Sequence, residues 1–170
     1  MKILVVNPNS TESMTRKIVE AAQAAASPGV TILGATAAGA PASIEGHFDE
    51  AMSLPGLLAQ VAAGEEQGVD GIVVACFDDP GIGACRELAT GPVLGICEAA
   101  VKAASMLATS FTVVTTLPRA VPVIEHLIHG YGLSHQCRRV RSAAIPVLAL
   151  EEAGNLLHRG HHAAPRGACD

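Results

Sequence analysis

Short apolar runs separated by amphipathic stretches set the pattern of this chain. KILVV (2–6) is an uninterrupted β-rich run and predicts a strand buried on both faces. NPNS then turns the chain. Ser10 or Asn9 can cap a helix running to about residue 26, with Met14, Ile18, Ala22 and Ala25 on one face. SPG (27–29) stops that helix, and VTILGA (30–35) predicts a second strand. Residues 36–48, TAAGAPASIEGHF, show no period and predict a long loop, a feature more often functional than ornamental. The next helix has Ser53 as its cap and Pro55 in its first turn, and Gly68 closes it. GIVVA (71–75) is the third strand. A helix near 81–89, strand PVLGI (92–96), helix 98–108, strand FTVVTT (111–116) and helix 119–132 continue the alternation, with Pro122 in the first turn of the last helix. Weaker strand material lies near 138–148. Alternating β and α elements with parallel-type strands predict an α/β fold with helices on both faces of the sheet. No linker divides the chain, but its last stretch, NLLHRGHHAAPRGACD, has no apolar period and predicts an irregular tail.

Composition narrows the function classes. The chain has 170 residues, enough for one domain with a core or for two small lobes. Apolar residues make up 49% but aromatics only 2%, so alanine, valine, leucine and glycine do the packing. The net charge is −5, with one Tyr and no Trp, so the basic stripe and stacking platform of a nucleic-acid binder are both missing. No apolar run reaches membrane-spanning length. The start MKILVVNPNS is too short in its apolar part, and lacks the cleavage site, for a signal peptide; the expectation is a cytoplasmic protein. Five cysteines at irregular spacing, with no CxxC, argue against a disulfide framework and a zinc site. His158, His161 and His162 sit in the irregular tail without acidic partners, so no metal site is expected there. GxGxxG and GxxxxGK[ST] are both absent, which removes the common nucleotide loops.

The remaining chemistry collects at strand ends. In an open α/β sheet, ligands sit outside the carboxyl ends of the strands. Strand 1 ends in Asn7-Pro8-Asn9-Ser10, strand 3 in Cys76-Phe77-Asp78-Asp79, and the FTVVTT strand in Thr115-Thr116. A thiol in this position points toward the crevice, and a helix N-terminus after it would favour the thiolate. Cys76 is therefore either a proton-transfer group or simply a buried strand-end cysteine. Asp78 and Asp79 oppose a thiolate, so orienting the turn is the role expected of them. NPNS can be a turn and cap or can hold a carbonyl; Thr115 and Thr116 can end a strand or offer hydroxyls to a ligand. Cys85 and Cys97 fit packing positions, Cys137 an exposed one, and Cys169 lies in the tail. His47, in the long loop, could reach a ligand but fits a solvated loop residue better.

KILVVNPNST, PASIEGHFDE, GIVVACFDDPG, PVLGICEAA and FTVVTT, in that order from residue 1 to about 152, closely resemble the hydantoin racemase family of the aspartate/glutamate racemase superfamily. The resemblance implies two similar parallel-sheet lobes with the active site between them. They would comprise a first lobe over 1–96 carrying Cys76, a partial second lobe over 97–152, and an irregular tail over 153–170. It implies racemisation of 5-substituted hydantoins, or of allantoin-like relatives, without a cofactor, by cysteine acid/base transfer at C5. By the same resemblance Cys76 is the catalytic cysteine. Asn9, Ser43, Phe77, Asp78, Thr115 and Thr116 face the substrate, Phe77 and Asp78 mainly through backbone N–H groups. The partner is a small molecule, with no nucleic acid and no membrane, and full-length relatives form homo-oligomers. In the family a second cysteine stands in a GCAGM-like motif; no such motif occurs here. The expectation is a second lobe that is incomplete, inversion that is impaired, and a tail composed like a shifted frame of a GC-rich coding sequence. Two alternatives remain. One is a decarboxylase that uses a single cysteine; the other is an inactive product that associates through unfinished sheet edges.

Overall fold

A computed structural model describes residues 1–151. The sequence-predicted tail over 153–170, with His158, His161, His162 and Cys169, lies outside the described residues. In chain order the elements are β1 (Lys2–Asn7), α1 (Glu12–Ala25), β2 (Thr31–Thr36), α2 (His47–Glu66), β3 (Gly71–Val74), α3 (Ile82–Leu88), β4 (Val93–Gly95), α4 (Ile96–Leu107), β5 (Phe111–Thr115), α5 (Val121–Gly130) and β6 (Cys137–Ser142). A 3-10 turn, Pro118–Ala120, leads into α5, and a second one, Val147–Glu151, follows β6.

Two parallel sheets result. The first has the order β2-β1-β3-β4, and the second pairs β5 with β6. Register explains the first core. Leu4 pairs with Leu33 and Ile72, Val6 with Ala35 and Val74, and Ile72 with Val93. Because side chains alternate across a strand, these residues share one face. That face packs on Leu57 and Val61 of α2 and on Ile82 and Cys85 of α3. The opposite face receives α1, which comes so close at Gly34 that a Cβ there would stand 2.4 Å from a Val19 methyl. The second core collects Cys97 and Val101 of α4, Val113 of β5, and Ile124 and Ile128 of α5. Phe77, at the end of β3, packs against this second core although its strand belongs to the first sheet.

Several sequence expectations are corrected. Thr11, not Ser10 or Asn9, is the residue preceding α1, and its hydroxyl is diverted to the Ala42 carbonyl at 2.7 Å. On α1 the expected Met14, Ile18 and Ala22 are half-buried but Ala25 is exposed, and Thr15, whose hydroxyl bonds Asn7 and Thr36, is buried beside them. The helix placed after Ser53 begins at His47, so Ser53 and Pro55 are interior. Asp49, three residues past the Gly46 cap, accepts the Glu45 N–H at 3.1 Å and supplies a start signal with the logic of a capping box. His47 is thus the first residue of α2 and not a loop residue, though its side chain stays 69% exposed. Cys137 is half-buried on the second core, not exposed. The β5–β6 register skips Arg138, and this bulge leaves Cys137 and Val140 packed against the second core while Arg138 and Arg139 are exposed.

Candidate active site

β3 ends at Val74, and the chain turns at once: the Asp79 N–H donates to the Cys76 carbonyl at 3.0 Å. Asp79 takes a left-handed backbone (φ 43°), uncommon for a residue with a side chain. The turn sends two adjacent carboxylates in different directions. Asp79 accepts the Cys97 N–H at 3.0 Å, the Glu98 N–H at 2.8 Å and the Tyr131 hydroxyl at 2.7 Å. It therefore satisfies free donors at the start of α4 from a distant loop. Gly95 is required for this approach, since a Cβ there would lie 2.3 Å from the Asp79 carboxyl carbon.

Asp78 has no such arrangement. It is 5% exposed, and its Oδ2 is buried without a hydrogen-bond partner among the described residues. Burial, followed by the charge on Glu50, pushes its pKa up to about 6, and His47 offsets part of that rise. Cys76 is half-buried. Burial, and then the Asp78 charge, raise its pKa far above the usual thiol range, with the Asp78 N–H working in the opposite direction. Both influences favour the protonated thiol over the thiolate. α3 begins only at Ile82, six residues on, while the Asp78 carboxylate lies two residues from the sulfur.

The other sequence-predicted residues are placed as follows. Asn9 is buried and used internally: its Oδ1 accepts Asn7 Nδ2 at 2.8 Å and the Thr11 N–H at 2.9 Å. Ser43 is half-buried in the 37–46 loop, with no side-chain bond among the described residues. That loop is tied to the NPNST turn, because the Ser10 N–H donates to the Pro41 carbonyl at 3.0 Å. Thr115 and Thr116 are half-buried at the carboxyl end of β5. With Phe77, Val114, Ala143 and Ile145 they line a largely apolar cavity of about 340 Å³. Phe77, the residue after Cys76, contributes one wall of this cavity, and the rest of the lining comes from β5, the end of β6 and the segments that follow them. Sequence reasoning missed Glu50, Tyr131 and Glu45. Glu45 bonds Arg119, and its other oxygen accepts the Val147 N–H at 2.9 Å. Only the loop's length pointed to Glu45; nothing local marked the other two. Cys85 and Cys97 are fully buried in the two cores, as expected of packing residues, and burial pushes Cys97 up to about 12.

A family model described as Asp/Glu/Hydantoin racemase matches residues 3–164. A hydantoin racemase of Rhizobium meliloti is 53% identical over 152 residues, covering 89% of this chain and 63% of the relative. A hydantoin racemase of Pseudomonas sp. strain NS671 is 45% identical over 157 residues, covering 91% and 63%. Among solved structures, an allantoin racemase from Klebsiella pneumoniae superimposes with a TM-score of 0.90 at 50% identity, covering 93% of this chain and 64% of the other. The chain thus spans just under two thirds of the length of these relatives.

Proposed function

Because the chain belongs to the Asp/Glu/hydantoin racemase family, we propose that it moves a proton at the acidic carbon of a 5-substituted hydantoin or an allantoin-like ureide, with Cys76 as the acid/base group and no cofactor. The observation that carries this reading is the position of Cys76. It sits at the carboxyl end of a central parallel strand, one residue before Phe77 of the cavity wall, with Thr115 and Thr116 on another wall. The C5 proton of a hydantoin lies between a carbonyl and a ring nitrogen, and its removal leaves an enolate-like anion. The backbone N–H groups of Phe77 and Asp78 and the threonine hydroxyls are suited to stabilise that charge. The apolar part of the cavity suits the C5 substituent. The Cys76 thiolate takes the C5 proton and becomes the thiol, and the thiol returns a proton to the enolate and becomes the thiolate again, so the sulfur alternates between the two forms.

Racemisation needs a proton to leave one face of C5 and another to arrive on the opposite face. Among the described residues the other cysteines, Cys85, Cys97 and Cys137, belong to the packed cores. One-sided exchange at Cys76 is therefore expected to outrun inversion. The test is incubation of one enantiomer of a 5-substituted hydantoin in deuterated water with the purified chain. Deuterium enters C5 faster than optical rotation decays, and Cys76→Ala lowers that exchange by roughly a hundredfold or more. Exchange that survives Cys76→Ala overturns the assignment.

The resting thiol also favours a second reading: a decarboxylase that protonates an enolate from one side. Release of carbon dioxide from a disubstituted malonate, lost in Cys76→Ala, would establish it.

A further inference from the structure

Asp78 and Asp79 are neighbours with nearly equal burial, 5% and 4% exposed. The burial of Asp79 is explained, because three donors converge on its oxygens. Nothing within the described chain explains the burial of Asp78. Its Oδ2 is buried without a hydrogen-bond partner among the described residues. The charged groups around it are Asp79 in its own turn and His47, Asp49 and Glu50 at the start of α2. Three of these four are acids, and the fourth, His47, is engaged with Glu50 at 3.4 Å. Among the described residues no group of three His, Cys, Asp or Glu side chains is placed to hold a metal ion. A buried, unpaired carboxylate oxygen costs free energy, and native structures rarely keep one without a use. The missing partner is a hydrogen-bond donor, and it has to be found two residues from the thiol.

We propose that the Asp78 carboxylate accepts the ring N–H adjacent to the reacting carbon of a cyclic ureide, and so fixes the carbon acid in register with Cys76. The inference rests on the reading of Cys76 given above and names the group that selects its substrate. In a hydantoin ring, N1–H is bonded directly to C5. A carboxylate that takes this hydrogen holds C5 one bond away from the anchored atom. An anionic acceptor also discriminates. It favours a neutral ring that donates N–H and disfavours carboxylates and carbonyl-only rings, whose oxygens would face like charge. The bond is charge-assisted and formed out of water, which places it among the stronger hydrogen bonds.

The test pairs changes on the protein with changes on the ligand. Binding of 5-benzylhydantoin and of its N1-methyl and N3-methyl derivatives is measured by calorimetry on wild type, Asp78→Ala and Asp78→Asn. N1-methylation is expected to weaken binding to wild type by roughly ten- to a hundredfold, and N3-methylation far less. In Asp78→Ala the N1-methyl penalty vanishes, because the partner is already gone. In Asp78→Asn, which keeps a carbonyl oxygen, part of the penalty returns. An equal N1-methyl penalty in wild type and Asp78→Ala overturns the proposal, as does a penalty confined to N3 or failure of wild type to bind the parent ring. Cys76-dependent deuterium exchange is measured on the same samples, so the Asp78 assignment can fail while the Cys76 assignment stands. If Asp78→Ala does not fold, as judged by amide dispersion, the comparison rests on Asp78→Asn: an unchanged N1-methyl penalty there rejects the proposal.

Discussion

Asp78 is disfavoured as an anion by its surroundings, and as an anion it disfavours a thiolate at Cys76. Burial and the charge of Glu50 raise the Asp78 pKa from the ordinary 3.8 to about 6, and burial followed by the Asp78 charge raises that of the Cys76 thiol. A carboxyl whose folded pKa exceeds its unfolded value contributes stability that is present below the unfolded value and lost as pH rises through about 6. Asp78→Asn is therefore expected to be more stable than wild type at pH 7.5, by up to about 3 kcal/mol. The gain should shrink toward zero near pH 4. Urea melts at the two pH values check this, and an equal effect at both would show that the carboxylate is not penalised in the native state. The strand-end placement of Cys76, Thr115 and Thr116 was legible in the sequence because each follows a mostly apolar run. The division of labour between Asp78 and Asp79 was not. The two letters are identical, and only the left-handed backbone at Asp79, together with Tyr131 fifty-two positions away, separates their roles.

Among the elements, α4 depends most plainly on a group outside itself. Its first turn is held by Asp79, and Gly95 leaves the space for that carboxylate. Gly95→Ala places a methyl where Asp79 stands, and the expected cost is about 2 kcal/mol or more, the range of overpacking in a filled site. Tyr131 is the sole tyrosine and the chain has no tryptophan, so its fluorescence reports directly on the Asp79 contact. The Gly95→Ala melt should show that signal changing along with stability; a variant as stable as wild type would mean that Asp79 can move aside without loss. The strands were readable because a parallel strand buried on both faces leaves a continuous apolar run. The start of α2 was not. Pro55 mimics a first-turn proline, whereas the actual start uses Gly46 and Asp49, a signal that emerges only once the 37–46 loop is folded back.

At the scale of the molecule, the two sheets meet through a few polar links. Glu45 reaches Arg119 and the Val147 N–H, Lys17 pairs with Glu151 at 2.9 Å, and Tyr131 reaches Asp79. Glu45→Gln keeps the size of the side chain and removes the charge. It is expected to speed amide exchange at Val147 and around Ser43 while leaving β1 and β3 protected; uniform acceleration through β1 would mean instead that Glu45 supports the whole fold. The two-lobed plan was foreseeable from the motifs, but these links join residues too distant in sequence for any local pattern to pair. The Cys76–Asp79 turn has a consequence here. It leaves β3 of one sheet, yet Asp79 fastens it to α4 and Tyr131, which pack with the other. The sulfur is thus carried on a turn fastened to both sheets. Separating the sheets would have to strain or break that fastening, so the rate at which a bulky alkylating reagent reaches the sulfur would report on how firmly it holds.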